Sequence, residues 1–248
     1  MRYFLEIAYN GNRYHGWQMQ PNAISVQQIV EEALSTMMRR EMTITGSGRT
    51  DTGVHCEQQF FHIDIDDTQL IDNLTFKLNS YLPPDIAIGS LKPVKEDAHA
   101  RFSALSRSYE YRISTKKNPF LEDFSYLYPK PLDLTTMNEA ASLLLGKQDF
   151  ESFSKVKTEV NTFFCEITEA VWKPQGDLLI FHITANRFLR GMVRAIVGTL
   201  LDVGKGKRTV EEFKSIIEQK DRKSAGAAAP ADGLFLTSVV YPDEIFIG

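Results

Sequence analysis

Strand-length apolar stretches alternate along this chain with helix-length segments that mix apolar and polar positions. The pattern predicts a strand over Tyr3–Tyr9 and a helix over Val26–Arg39. Ser25-x-x-Gln28 forms a capping box that would satisfy the free N–H groups of that helix's first turn. Strands near Met42–Gly46 and Glu57–Ile65, a helix over Gln69–Leu78 and a strand near Ile86–Pro93 give the order βαββαβ. The order then recurs. A strand is predicted over Ser106–Ser114 and a helix over Thr136–Leu145, stopped by Gly146. Strands near Phe163–Lys173 and Leu178–Ala185 flank a turn at Pro174-Gln175-Gly176-Asp177. An apolar helix over Phe188–Val203 ends at Gly204, and a helix over Val210–Lys220 and a strand over Leu234–Tyr241 follow. Two such halves, 1–105 and 106–248, predict an α+β fold of two ferredoxin-like units whose sheets can join edge to edge.

Composition narrows the class. The 248 residues allow one large domain or two small ones, and 43% hydrophobic content supplies a core. No apolar run reaches the roughly 18 residues of a membrane span. The first residues, Met1–Tyr9, are too short and interrupted for a signal peptide and lack a small-residue cleavage site. Cys56 and Cys165 are the only cysteines, with no CxxC, which argues against a disulfide framework or a cysteine zinc site and fits the cytosol. The five histidines show no metal-binding spacing, so no metal is predicted. Net charge is −4, yet Arg187–Lys223 holds ten basic and five acidic residues, so this segment is +5 and the rest is −9. A local basic stripe of this kind is the footprint of a nucleic-acid binder, although a charge-rich helix is more often a solvated face. Arg187, Arg190 and Arg194 recur at helical spacing on an otherwise apolar segment. A helix apolar on most faces must be largely buried, and its arginines then need a carboxylate or phosphate.

The densest chemistry lies in Gly46-Ser47-Gly48-Arg49-Thr50-Asp51-Thr52-Gly53-Val54-His55, a glycine-rich turn ahead of a predicted strand. A guanidinium near Asp51 favours the ionised carboxylate, which suits a nucleophile or base better than a general acid. A plain turn remains open as a reading, because Asp and Gly favour turns for backbone reasons. A phosphate-binding loop is weak here: no third glycine at dinucleotide spacing and no Gly-Lys-Ser/Thr follows. Asp51-Thr52-Gly53 also spells an aspartic-protease triplet, but that chemistry needs two aspartates sharing a proton and the chain has no second copy.

The decapeptide resembles the catalytic motif of the tRNA pseudouridine synthase A family, G-[AS]-G-R-T-D-x-G-V-H. Further stretches resemble the family's motifs in the family's order: Tyr9–Gln18, Ala100-Arg101-Phe102-Ser103-Ala104 with Arg107-Ser108-Tyr109-Glu110-Tyr111, Phe188–Gly198, and Ala229-Pro230-Ala231-Asp232-Gly233-Leu234. Asn10 stands where the family usually has aspartate, Thr52 fills a variable position, and Gly191 stands where histidine is frequent.

The resemblance implies isomerisation of uridine to pseudouridine at positions 38, 39 and 40 of the tRNA anticodon arm. It implies a cytoplasmic homodimer with no cofactor and a mixed, mainly antiparallel sheet with a central cleft. Asp51 carries over as the catalytic carboxylate, Tyr109 as the residue stacking on the target base, and Arg194 as the basic partner of Asp51. Arg49 carries over as a residue that helps displace the base. Arg190, Lys205, Lys207 and Arg208 are candidate tRNA phosphate contacts, while His55 and His62 read as structural. Tyr109 and Tyr111 share one side of a strand, so one can be core while the other faces substrate. The competing class is a non-catalytic RNA-binding module of the same fold.

Overall fold

A computed structural model describes residues 1–66, 71–156 and 161–247. The chain divides into two compact units, Met1–Leu105 with Leu236–Gly248, and Ser106–Phe235. The fold is α+β with mixed, mainly antiparallel strands, as expected.

In the first unit β1 (Arg2–Tyr9) lies between β3 (His55–Asp64) and β4 (Ile86–Val94), antiparallel to both. Leu5 pairs with Phe61 on one side and Leu91 on the other. Helices α1 (Val26–Met38) and α2 (Leu74–Tyr81) belong to this unit. The predicted start of α2 at Gln69 lies outside the described residues. Ser25 caps α1 by accepting the Gln28 N–H, but the Gln28 side chain turns to Glu32 rather than back to the cap. Buried Val26, Val30, Ala33 and Leu34 form the inner face of α1. Asn79 of α2 grips Ile88 of β4 by both backbone groups, at 2.8 and 2.7 Å.

The strand predicted over Met42–Gly46 shrinks to β2 (Thr45–Gly46), paired with β3. Side chains of α1 take over the backbone groups of Ile44: Glu31 accepts its N–H at 2.9 Å and Gln27 donates to its carbonyl at 3.3 Å. A backbone satisfied in this way needs no strand partner.

In the second unit β5 (Ser106–Ser114), β9 (Leu178–Ala185), β8 (Phe164–Gln175) and β7 (Gly146–Asp149) follow one another, all antiparallel. The short β6 (Tyr126–Leu127) runs parallel to β5. Helix α3 (Leu134–Ser142) starts on Asp133, whose carboxylate accepts two N–H groups, and grips Trp172 of β8 through Asn138 as Asn79 grips Ile88. It ends before the predicted Gly146 stop, because Gly146 opens β7 instead. Helix α4 (Met192–Gly204) is buried over most of its length. It starts later than the predicted Phe188, because Gly191 sits at φ +71 and breaks the helical path. Arg187 and Arg190 therefore precede the helix, and only Arg194 lies on it. Helix α5 (Val210–Gln219) opens on a complete capping box of Thr209 and Glu212.

The last strand, β10 (Leu234–Val240), begins in the second unit and ends in the first. The predicted second half ran to residue 248, but the chain from Leu236 packs with the first unit. Tyr241 meets Phe4 and Phe60 edge to face, and its hydroxyl donates to the Ala100 carbonyl. Among the described residues no helix is long and apolar enough to cross a membrane.

Candidate active site

Asp51 sits at the head of β3, half-buried, in a turn closed by the Val54 N–H to its own carbonyl at 3.1 Å. The turn is held from behind by the segment joining β1 to α1. Trp17 donates its N–H to the Thr50 carbonyl at 3.4 Å, and Gly53 donates to the Tyr14 carbonyl at 3.3 Å. The contact is backbone against backbone. A Cβ on Gly11 would lie 2.0 Å from the Val54 carbonyl oxygen, and one on Gly16 would lie 2.2 Å from that of Thr50. Helix α1 fixes this segment in turn, as the Val26 and Gln27 N–H groups donate to the Gly16 and Trp17 carbonyls. The two motifs nearest the N-terminus are thus halves of one packed structure.

Buried polar groups set the turn's internal geometry. The Tyr9 hydroxyl meets Thr50 Oγ1 at 2.8 Å and accepts from Gln59 Nε2 at 3.3 Å. Ser47 Oγ donates to Gln59 Oε1 at 3.4 Å, and Trp17 stacks on Tyr9 with centroids 6.1 Å apart. His55 Nδ1 accepts the Gly11 N–H at 3.2 Å, so His55 splints the turn to its support, as a structural residue would. The sequence alone assigns no role to the supporting residues Tyr9, Thr50 and Gln59. Their signal was available for two of them, since Tyr9 and Thr50 lie inside matched motifs. Arg49 is exposed, and its Nε donates to Gln18 Oε1 at 3.2 Å.

The Ala100–Ala104 motif is a tight turn at the other end of β3. His62 Nδ1 accepts the Ala100 N–H at 3.1 Å, and His99 Nδ1 accepts that of Arg101 at 3.1 Å. Phe102 stands 75% exposed on this turn, with its ring against His99.

In the second unit Tyr109 and Tyr111 divide as strand alternation allows. Tyr111 is fully buried, while Tyr109 is half-buried with its ring edge-on to Phe188 at 5.1 Å. Arg194 is half-buried in the first turn of α4 and donates from Nε to the Ala229 carbonyl at 2.7 Å. That carbonyl belongs to the last motif, so the third and last motifs also join physically. A Cβ on Gly198 would fall 1.8 Å from the Ala227 oxygen, and Thr199 Oγ1 accepts the Gly226 N–H at 3.0 Å. The candidate phosphate contacts differ in setting. Arg190 and Lys207 are exposed; the Lys205 ammonium lies 4.8 Å over the Tyr128 ring; Arg208 lies 3.8 Å from Asp202. Among the described residues no group of three or more His, Cys, Asp or Glu could hold a metal.

Comparison with known proteins places the chain in a family. The family described as tRNA pseudouridine synthase matches residues 7–103 and 140–242. A tRNA pseudouridine synthase A of Porphyromonas gingivalis is 52% identical over 250 residues, covering 99% of each chain. That of Bacteroides thetaiotaomicron is 50% identical, covering 99% of this chain and 92% of its own, and that of Bacillus subtilis is 40% identical over 97% and 99%. With the Asp51 turn and its support inside the matched region, the chain belongs to the tRNA pseudouridine synthase family.

Proposed function

We propose that this protein isomerises uridine to pseudouridine in tRNA, at positions 38, 39 and 40 of the anticodon arm. The observation that carries this reading is the Asp51 turn: a half-buried carboxylate on a rigid strand head, braced by a second motif through backbone contacts. The reaction breaks the N1–C1′ bond, turns the uracil and forms a C5–C1′ bond. The C5 hydrogen leaves as a proton and N1 gains one, so no atoms are gained overall and no redox or nucleotide cofactor is required. Asp51 supplies the single carboxylate, either attacking C1′ or removing a sugar proton to give a glycal. Ordinary glycoside hydrolysis uses two carboxylates. Tyr109 stacks on the uracil, Arg194 contributes the positive charge of the site, and Arg49 assists entry of the base, whose removal from its stack costs a few kcal/mol. Arg190, Lys205, Lys207 and Arg208 contact phosphates. Acting on neighbouring uridines requires recognition by shape and backbone rather than by base identity. The enzyme acts as a cytoplasmic homodimer.

The test is tritium release from tRNA carrying uridine labelled at C5, because forming the C5–C1′ bond expels that hydrogen. Wild type is expected to release tritium and Asp51→Asn to release none while binding tRNA as before. Release by both would keep the reaction and remove Asp51 from it. Binding without release by either would leave an RNA-binding module.

A further inference from the structure

We infer that Tyr111 is a positioning residue for Arg194, acting through the Ala229-Pro230 dipeptide; this rests on the reading that Arg194 serves uridine isomerisation. Tyr111 is fully buried on β5, and its hydroxyl donates to the Pro230 carbonyl at 3.0 Å. The adjacent residue is held by Arg194. Ala229 accepts from Arg194 Nε at 2.7 Å and returns its own N–H to the Arg194 carbonyl at 2.9 Å. One dipeptide is thus gripped by a strand tyrosine and by both ends of an arginine.

The backbone flanking the dipeptide is closely packed, while Pro230 itself is exposed. The Ala227 oxygen lies where a Cβ on Gly198 would fall, at 1.8 Å, and a Cβ on Gly233 would meet the Arg112 oxygen at 2.8 Å and the Tyr111 ring at 3.0 Å. A guanidinium is planar with donors in a fixed fork, so a short bond from Nε fixes the plane in which the terminal nitrogens lie. Tyr109 lies two residues earlier on the same strand face. A single strand therefore carries the proposed base-stacking residue and the anchor for the proposed cation. Without the Tyr111 hydroxyl, the Pro230 carbonyl would lose its protein partner and the dipeptide its fixed position.

The experiment compares wild type, Tyr111→Phe, Arg194→Lys and the double variant by single-turnover tritium release at saturating tRNA, with tRNA Kd and thermal melts alongside. Rates are taken per binding-competent enzyme, which removes any loss from unfolding. Lysine keeps the charge at position 194 but has no Nε–H for the Ala229 carbonyl. We expect Tyr111→Phe to slow release about tenfold, the scale of a small misplacement of a reacting group. We expect Kd to stay within about twofold and the phenylalanine to cost nothing further in the Arg194→Lys background. An unchanged rate, a loss confined to Kd or Tm, or losses that multiply in the double variant would each overturn the positioning role. Wild type releasing no tritium would instead remove the isomerase reading, and this inference with it.

Discussion

Gly16 shows how much of the site depends on a residue with no chemistry of its own. Its φ of +84 belongs to the left-handed region, and the space a Cβ would occupy is filled by the Thr50 carbonyl oxygen at 2.2 Å. Alanine there meets both penalties, since L-residues resist that φ and the obstacle is backbone that cannot swing aside. Gly16→Ala should cost more than about 2 kcal/mol of stability, read from the urea midpoint at constant slope. It should also slow turnover in the protein that remains folded, because the displaced backbone lies next to Asp51. Stability within about 0.5 kcal/mol of wild type, the scatter of neutral surface changes, would mean that the loop yields. The importance of Asp51 was legible in the sequence, because the turn around it has a distinctive composition. Why Gly11 and Gly16 accompany it was not. Their neighbours, Val54 and Thr50, lie 43 and 34 residues away along the chain, and spacing alone says nothing about which backbones touch.

At the scale of elements, β5 and β9 were legible to the residue, and for β9 the reason is the clear turn at Gly176 just before it. Strand β7 was missed: Gly146-Lys147-Gln148-Asp149 carries no apolar alternation and is a strand only because β8 lies beside it. The early start given to α4 has a similar cause, since Phe188 and Leu189 continue the apolar pattern through a bend that Gly191 imposes. Strand β3 carries a device that pattern cannot show at all. Burial, with Arg2 and His99 adding to it and Asp64 opposing, lowers the pKa of His62 to about 4, and burial lowers that of His99 as well. Both rings must be neutral at Nδ1 to accept the backbone of the Ala100–Ala104 turn. A base with a depressed folded pKa contributes fully above its unfolded value, near 6.5, and its contribution falls away as pH drops to about 4. Wild type should therefore lose its advantage over His62→Gln, which cannot titrate, as pH falls through that window. Urea unfolding of both proteins from pH 7 to 4 measures this, and a constant gap would exclude the mechanism.

Over the whole molecule, the partner of a strand is not written in its own residues. β10 reads as one more strand of the second half, yet from Leu236 on it counts with the first unit, with Tyr241 anchored on Ala100. Charge can be read further. The chain is −4 overall while Arg187–Lys223 is +5, so an RNA ligand must be held by a local patch against an unfavourable mean field. The turn after α4 is the place to test this, because Lys207 is exposed, Lys205 is held over Tyr128 and Arg208 shares Asp202. Each phosphate neutralised releases counterions and adds about 0.7–0.9 to the slope of log K against log salt. Replacing Lys205, Lys207 and Arg208 together by glutamine should weaken tRNA binding at low salt and flatten that slope by about 2. Because Arg208 already shares a carboxylate, the single replacement at Lys207 should account for more of the change than the one at Arg208. Single-turnover tritium release at saturating tRNA should be preserved, since none of the three is assigned a part in the chemistry. Filter binding across a salt series decides the matter: an unchanged slope would place the tRNA backbone elsewhere on the protein.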